Sequence, residues 1–372
     1  MSTKPNRLLS LDVFRGLTIA GMVLVNNPGT WSSIYWPLRH AEWHGWTPTD
    51  LIFPFFLFIV GVSITLAFGR RVEDGGVTNS LFLKVIKRSA IIFGLGLFLN
   101  GFPYFQLSDI RIMGVLQRIA ICYLIASLIF LKTKVRTQAI ITAALLIVYC
   151  VVMNKIAAPG YGVGDLSKEG SIASFIDRVV LGPHVWKQGK VYDPEGLLST
   201  IPAIATTLLG VLTGHWLRSE RPQFEKVAGL FVGGAVLVIL GWMWNPFFPI
   251  NKSLWTSSYV LFTAGLGLQL LALCYWLIDI KGYRRWAWPF IVFGVNAIAL
   301  FVGSGLMVKI MGLIKVPQGD GTTISSQGWI FQNFFLSWAS PINASLAYAI
   351  AFILFWLFLM WLLYRKRIYI KV

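Results

Sequence analysis

The sequence predicts an all-α, polytopic membrane protein of about ten transmembrane helices, with both termini in the cytoplasm. Three observations predict it. Of the 372 residues, 56% are hydrophobic and only 13% are charged, giving a mean hydropathy of +0.69, a balance foreign to a soluble domain of this size. The apolar residues fall in continuous runs of about 20, the length a helix needs to cross a bilayer. Basic residues recur at every second connection, as the positive-inside rule requires. The runs lie near 10–27, 49–68, 83–101, 112–131, 138–154, 197–217, 227–245, 254–278, 286–312 and 341–363. They do not alternate in polarity, which argues against a β-barrel.

The net charge is +17, from 32 Lys and Arg against 15 Asp and Glu. Twenty of the 32 fall on one predicted side: Lys4 and Arg7; Arg70, Arg71, Lys84, Lys87 and Arg88; Lys132, Lys134 and Arg136; Arg218, Arg221 and Lys226; Lys281, Arg284 and Arg285; Arg365, Lys366, Arg367 and Lys371. The excess therefore reports topology and contact with an anionic lipid bilayer, with no nucleic-acid partner expected.

The first run opens with Leu11-Asp12-Val13-Phe14-Arg15-Gly16. It lacks a small-x-small cleavage site and carries Arg15, so it reads as a retained helix and not a signal peptide. Asp12 and Arg15, three residues apart, share a helix face. They form an interfacial ion pair, or Arg15 meets a phosphate arriving from the cytoplasm. Asn26 and Asn27 end the run, either as a cap in the left-handed region or as an amide donor to an oxyanion.

Two of the four histidines, His40 and His44, stand in the following loop. Four residues apart, they have metal-pair spacing on a helix. Gly45 and Pro48 oppose a continuous helix, and no third ligand follows, so no metal is expected. The second run starts with Thr47-Pro48-Thr49-Asp50, all helix-start residues. Asp50 is a cap or the acceptor that orients a histidine base.

Arg111 stands just before the fourth run and Arg118 inside it. Seven residues apart, they are expected on one helix face. Arg118 falls at bilayer depth, where an ionisable group costs about 2.5–3.5 kcal/mol on insertion scales. It pairs with a carboxylate or is positioned for an anion. Residues 155–196 form the longest connection, expected on the periplasmic side. They hold Gly160, Gly162, Gly164 and Gly170, then His184 after Gly182-Pro183, then Tyr192-Asp193-Pro194-Glu195-Gly196. That last stretch reads as a turn into a helix or as carboxylates facing a substrate. Long connections of this kind are commonly functional. Residues 313–340 form a second long connection, rich in Gly, Ser and Gln. His215, beside Arg218, suits a helix C-terminus. Cys122, Cys150 and Cys274 lie inside apolar runs and suggest neither a disulfide framework nor a metal site. No Walker, Rossmann, Gly-x-Ser-x-Gly or Cys-x-x-Cys pattern occurs. No internal repeat is evident, which weakens an inverted-repeat transporter reading.

Six stretches together resemble the heparan-α-glucosaminide N-acetyltransferase family of transmembrane acetyltransferases. They are 11–16, 39–61 (Arg39-His40-Ala41-Glu42-Trp43 through Gly61), 111–118, 192–201, 250–260 (Ile250-Asn251 through Val260) and 364–368, in order through nearly the whole chain. The resemblance implies a single transmembrane acyltransferase domain over 1–372, starting at the shared catalytic region as shorter bacterial relatives do. It implies an enzyme of the bacterial inner membrane that moves acetyl from cytoplasmic acetyl-CoA to the amine of a glucosamine at the periplasmic side. The family's active-site histidine falls on His40, as general base or acyl carrier, and its asparagine on Asn26; Asp50, from its own position, stays open between helix cap and catalytic partner. Arg15, Arg111 and Arg118 are expected to hold the polyanionic cofactor. Asp193, Glu195, Asn251 and Trp255 are expected to line the sugar side. Animal members carry Gly-His where this chain has Gly303-Ser304, so no role for that histidine carries over. A homodimer is compatible with so Trp-rich a surface. The alternatives are a permease for amino sugars and an acyltransferase acting on a cell-envelope glycan.

Overall fold

The computed structural model describes residues 8–319 and 321–370. The basic residues Lys4, Arg7 and Lys371 lie outside the described residues. The chain is a helical, multi-pass membrane protein. Among the described residues, eight helices are long and apolar enough to cross a bilayer, or nine if one bent pair is a single span. The Cα trace divides into two compact units, taken in turn.

Among the described residues, the first unit holds 8–40, 47–53, 277–319 and 321–370. Its described helices are α1 (Leu9–Asn26), α10 (Trp288–Val295), α11 (Ala297–Leu313), α12 (Ser326–Phe334) and α13 (Pro341–Arg365). The Asp279 carboxylate accepts the amides of Leu9 and Ser10 and so satisfies orphan donors at the start of α1. α1 packs on α10, α11 and α13. The approach to α10 needs Gly16, where a Cβ would sit 1.8 Å from the Phe290 carbonyl oxygen.

The run predicted as one helix over 286–312 is broken. α10 and α11 meet at Asn296 with a bend of 82°. The buried Asn296 side chain donates to the Ile368 carbonyl and accepts the Ile370 amide. Its amide group is thus spent on the segment after α13, which fixes the break. The connection 313–340 also carries structure. A short antiparallel pair, β1 (Lys315–Pro317) and β2 (Thr323–Ser325), precedes α12.

The second unit comprises residues 41–46 and 54–276. It holds α2 (Ile52–Glu73) from Pro54 onward, α3 (Asn79–Gly101), α4 (Val115–Lys132), α5 (Val135–Lys155), α6 (Ile172–Leu181), α7 (Thr200–Arg218), α8 (Gln223–Trp244) and α9 (Ser257–Cys274). α3 matches the predicted run 83–101, but Lys84, Lys87 and Arg88 lower the apolarity of its first half. α4 and α9 both pack against α7, and α8 lies along α9. In α5 and α8 only 22% of the most apolar stretch is buried, against 72% in α7. Apolar side chains left exposed on α5 and α8 are what a lipid-facing helix requires.

α6 lies inside the connection read from sequence as a loop. Ser171 caps it, with its hydroxyl accepting the Ser174 amide. The expectation that Arg111 and Arg118 share a helix face fails. Helix α4 starts only at Val115 and residues 110–114 are non-helical. The reason is that carbonyls and amides of 110–112 bond outward, to Asn100 and His184, instead of along a helix.

Candidate functional site

In the first unit, the chain after α1 forms a 3-10 turn at Trp36–Leu38, and a second at Pro48–Leu51 opens α2. Two hydroxyls tie them together. The Thr47 hydroxyl donates to the Arg39 carbonyl (2.5 Å), and that of Thr49 to the Pro37 carbonyl (3.0 Å). This holds His40 over the start of the second turn. Its Nδ1 lies 2.7 Å from Asp50 Oδ1. The other carboxylate oxygen, Oδ2, accepts the Thr47 amide at 3.0 Å, completing a capping box.

Asp50 thus caps the turn with one oxygen and meets His40 with the other. The Asp50 side chain is 1% exposed and that of His40 49%. A buried carboxylate holding one nitrogen of a half-exposed imidazole is an arrangement suited to acid–base or nucleophilic chemistry.

Asn26 is exposed at the end of α1, while Asn27 is buried. Asn27 closes the helix, donating from Nδ2 to the Val23 carbonyl at 2.6 Å. Its φ of −132° is not the left-handed cap expected from sequence. Near the other end of α1, Arg15 pairs with Asp12 at 3.1 Å, and its guanidinium also reaches the Gly294 carbonyl at 3.5 Å.

In the second unit, Arg111 closes on two carboxylates. Its Nε and Nη2 reach Asp193 at 3.0 and 2.5 Å, and Nη2 reaches Glu195 at 2.5 Å. Burial opposes the charge on Arg111, but Glu195 and Asp193 outweigh it and raise its pKa. Burial likewise pushes Glu195 up. Arg111, then Arg118 and Lys252, outweigh that and hold it below the usual carboxylate range. The Trp186 amide and the Glu195 amide fix the Asp193 carboxylate from two further directions. Aromatic rings surround the pair. Arg111 lies over Trp186 at 5.9 Å, and Tyr192 meets Trp186 and Trp43 edge-on at 5.8 and 5.1 Å.

Arg118 is fully buried. Its Nη2 donates to the Gly196 carbonyl and the Ser199 hydroxyl, and the guanidinium lies 5.0 Å from the Trp255 ring. Nε and Nη1 have no hydrogen-bond partner among the described residues. Trp255 is itself 1% exposed, with Nε1 donating to Thr206. Its face is thus against Arg118, not turned to solvent. Asn251 is also buried; its Oδ1 accepts the Leu254 amide, and its Nδ2 lies 3.3 Å from His44 Nδ1. Partial burial lowers the His44 pKa.

Sequence reasoning missed Asp177. It stands on α6, and Oδ1 accepts the Leu197 amide at 2.8 Å. Burial pushes its pKa up to about 7, against the pull of that amide. The signal was present: Ser171 followed by apolar residues at 172, 175, 176 and 179 has helical spacing. Among the described residues, no group of three or more His, Cys, Asp or Glu is placed to hold a metal.

Residues 7–243 match a family model described as heparan-alpha-glucosaminide N-acetyltransferase, catalytic. The human protein of that name is 28% identical over 431 aligned positions, covering 100% of this chain and 61% of the human one. The mouse protein of that name is 30% identical over 356 positions, covering 81% of this chain and 54% of the mouse one. The chain thus spans little more than half the length of these relatives.

Proposed function

Because this chain belongs to the heparan-α-glucosaminide N-acetyltransferase family, we propose that it acts as one transmembrane acyltransferase domain of the bacterial inner membrane. It transfers acetyl from cytoplasmic acetyl-CoA to the amine of a glucosamine-type sugar at the periplasmic side. The observation that carries this reading is the His40–Asp50 pair at 2.7 Å, on the stretch with the family's histidine motif. The orientation rests on the basic residues at the ends of α2, α4, α7 and α13.

In this reading Asp50 holds Nδ1–H of His40, which leaves the lone pair of the reacting imidazole on Nε2. The sugar ammonium first gives up a proton to solvent; the free amine then attacks the thioester carbonyl carbon, the carbon–sulfur bond breaks, and CoA leaves as the thiolate. Nε2 takes the proton that the nitrogen loses. In the two-step variant Nε2 itself attacks first, releases the thiolate, and then passes acetyl to the amine, the freed Nε2 taking the proton that the amine loses. Asn26 supplies an amide donor to the oxyanion. Arg15 and the basic loops receive the CoA phosphates. Arg111 and Arg118, already held by protein groups, act on Asp193 and Glu195, whose negative charge suits an ammonium acceptor. Asn251 and Trp255 belong to the sugar side in this reading.

Membranes carrying the protein are expected to transfer labelled acetyl from acetyl-CoA to glucosamine. His40→Ala is expected to abolish transfer while leaving expression intact; full activity in that variant would remove His40 from the mechanism. Incubation with acetyl-CoA and no sugar, followed by mass spectrometry, separates the two routes, since only the second leaves acetyl on His40. A second reading, an amino-sugar permease, draws on the broken α10–α11 pair, because discontinuous helices mark transport sites in many carriers. Uptake of glucosamine by proteoliposomes without acetyl-CoA would favour it.

A further inference from the structure

We propose that His184 is a positioning residue that sets Arg111 on the Asp193–Glu195 pair and thereby tunes the binding of the acceptor amine. The inference rests on the reading of that pair as the acceptor side.

The geometry starts with the backbone. Arg111 lies in a non-helical stretch ahead of α4, where nothing in helix formation fixes its direction. Hydrogen bonds to 184 and 100 do so instead. His184 Nδ1 lies 2.7 Å from the Ile110 carbonyl, and the Ile112 amide donates to the His184 carbonyl at 3.2 Å. One residue thus grips the chain on both sides of Arg111. Asn100 Nδ2 donates to the carbonyl of Arg111 itself at 2.8 Å. A carbonyl only accepts, so Nδ1 carries a proton whether the ring is neutral or charged.

The same short segment reaches the other half of the ion pair. Two residues on, the Trp186 amide donates to Asp193 Oδ2 at 3.0 Å, and the Trp186 ring lies against the Arg111 guanidinium. Val185 between them is buried with Met113 and Leu181. Gly182, at φ +54°, turns the chain from α6 into this segment, a conformation suited to glycine. Residues 184–186 are therefore a brace with Arg111 on one side and Asp193 on the other. Losing the ring bond frees the stretch around Arg111, and small misplacements at a binding site carry large penalties.

Three variants of the full chain test the proposal. The amide nitrogen of Asn can stand where Nδ1 stands, so His184→Asn keeps the bond. Gln carries its amide one carbon further out, and Ala has none. His184→Ala and His184→Gln are expected to raise the KM for glucosamine on the order of tenfold, with KM for acetyl-CoA unchanged, and His184→Asn is expected to restore it. Hydrogen–deuterium exchange of the peptide holding Ile112 reads the brace without any activity: protection falls in the Ala and Gln variants and returns in Asn. Unchanged exchange in His184→Ala overturns the brace. Faster exchange with an unaltered glucosamine KM overturns its role in binding. Absence of transfer in the unaltered chain refutes the acceptor reading itself, and exchange alone then judges the brace.

Discussion

Replacing Asp50 with Asn separates the two duties that one carboxylate performs. Oδ2 of Asp50 accepts the Thr47 amide within the capping box, and Oδ1 holds His40 Nδ1 at 2.7 Å. Asn keeps an acceptor oxygen for the first duty, so the loss of cap stability is at most about 1 kcal/mol. The second duty is lost outright, because one position now bears NH2 or the negative charge is gone. A hydrogen bond to a charged group contributes about 1.5–3 kcal/mol. His40 is half-exposed, which argues for the lower half of that range on the solvent side. Loss of the correct tautomer adds to it, and in a comparable triad the Asp→Asn change lowers kcat about 10⁴-fold. Asp50→Asn is therefore expected to cut kcat/KM for acetyl transfer by about 10²- to 10³-fold, with a Tm in detergent close to that of the unaltered chain. Labelled-acetyl transfer and thermal unfolding on the same preparation measure both. Activity within a few-fold of normal would refute the reasoning and leave Asp50 as a cap alone.

Other outcomes follow from the buried charges of the second unit. Asp177 has a folded-state pKa raised to about 7 from 3.8, so its contribution to stability is largest below the unfolded value and declines as pH rises towards 7. The shift corresponds to roughly 4 kcal/mol as an order of magnitude. Asp177→Asn should flatten the fall in Tm between pH 4 and pH 7 and raise Tm at pH 8; an unchanged slope would refute the assignment. Arg111→Met leaves Asp193 and Glu195 buried without their main counter-charge, which should destabilise by about 3–5 kcal/mol. Adding Glu195→Gln to that variant should recover part of the loss, and denaturant or thermal unfolding of the two variants checks it. Asn296→Ala removes both bonds to the segment after α13, so hydrogen exchange at the Ile370 amide should quicken while the exchange of α4 is unaffected.

How far the sequence carried depended on which physical force shaped each part. Lipid demands long apolar helices, and that demand is written in composition, so α1, α2, α4, α5, α7, α8, α9 and α13 were legible from runs of residues alone. The break at Asn296 was not, because its cause is a pair of hydrogen bonds to residues more than seventy positions away. Asp50 shows the limit from the other side. Thr47-Pro48-Thr49-Asp50 announced a helix start, and its local spacing argued for a cap. Only the fold shows that the second oxygen is left over for His40. Counting along a continuous helix places Arg111 and Arg118 on one face. The actual register is set by Asn100 and His184, which no periodicity reports.

The charges also explain why the two arginines of one motif differ in kind. Arg111 meets two carboxylates directly and keeps part of its side chain at the surface, so its charge is compensated where it stands. Arg118 is wholly buried and touches a carbonyl, a hydroxyl and an indole face. Its nearest compensation is the field of Glu195, Asp193 and Asp177. Removing Arg118 would therefore act on those carboxylates through space, and removing Arg111 would act by contact. A buried cation without a contacting anion is costly, and here the Gly196 carbonyl and the field of the nearby carboxylates offset that cost. The turn that carries the buried Asp193 and Glu195, and Arg118 bonded to its Gly196 carbonyl, are thus one electrostatic unit. Asp193, Glu195 and Arg118 should accordingly respond together, and non-additively, in double-mutant cycles.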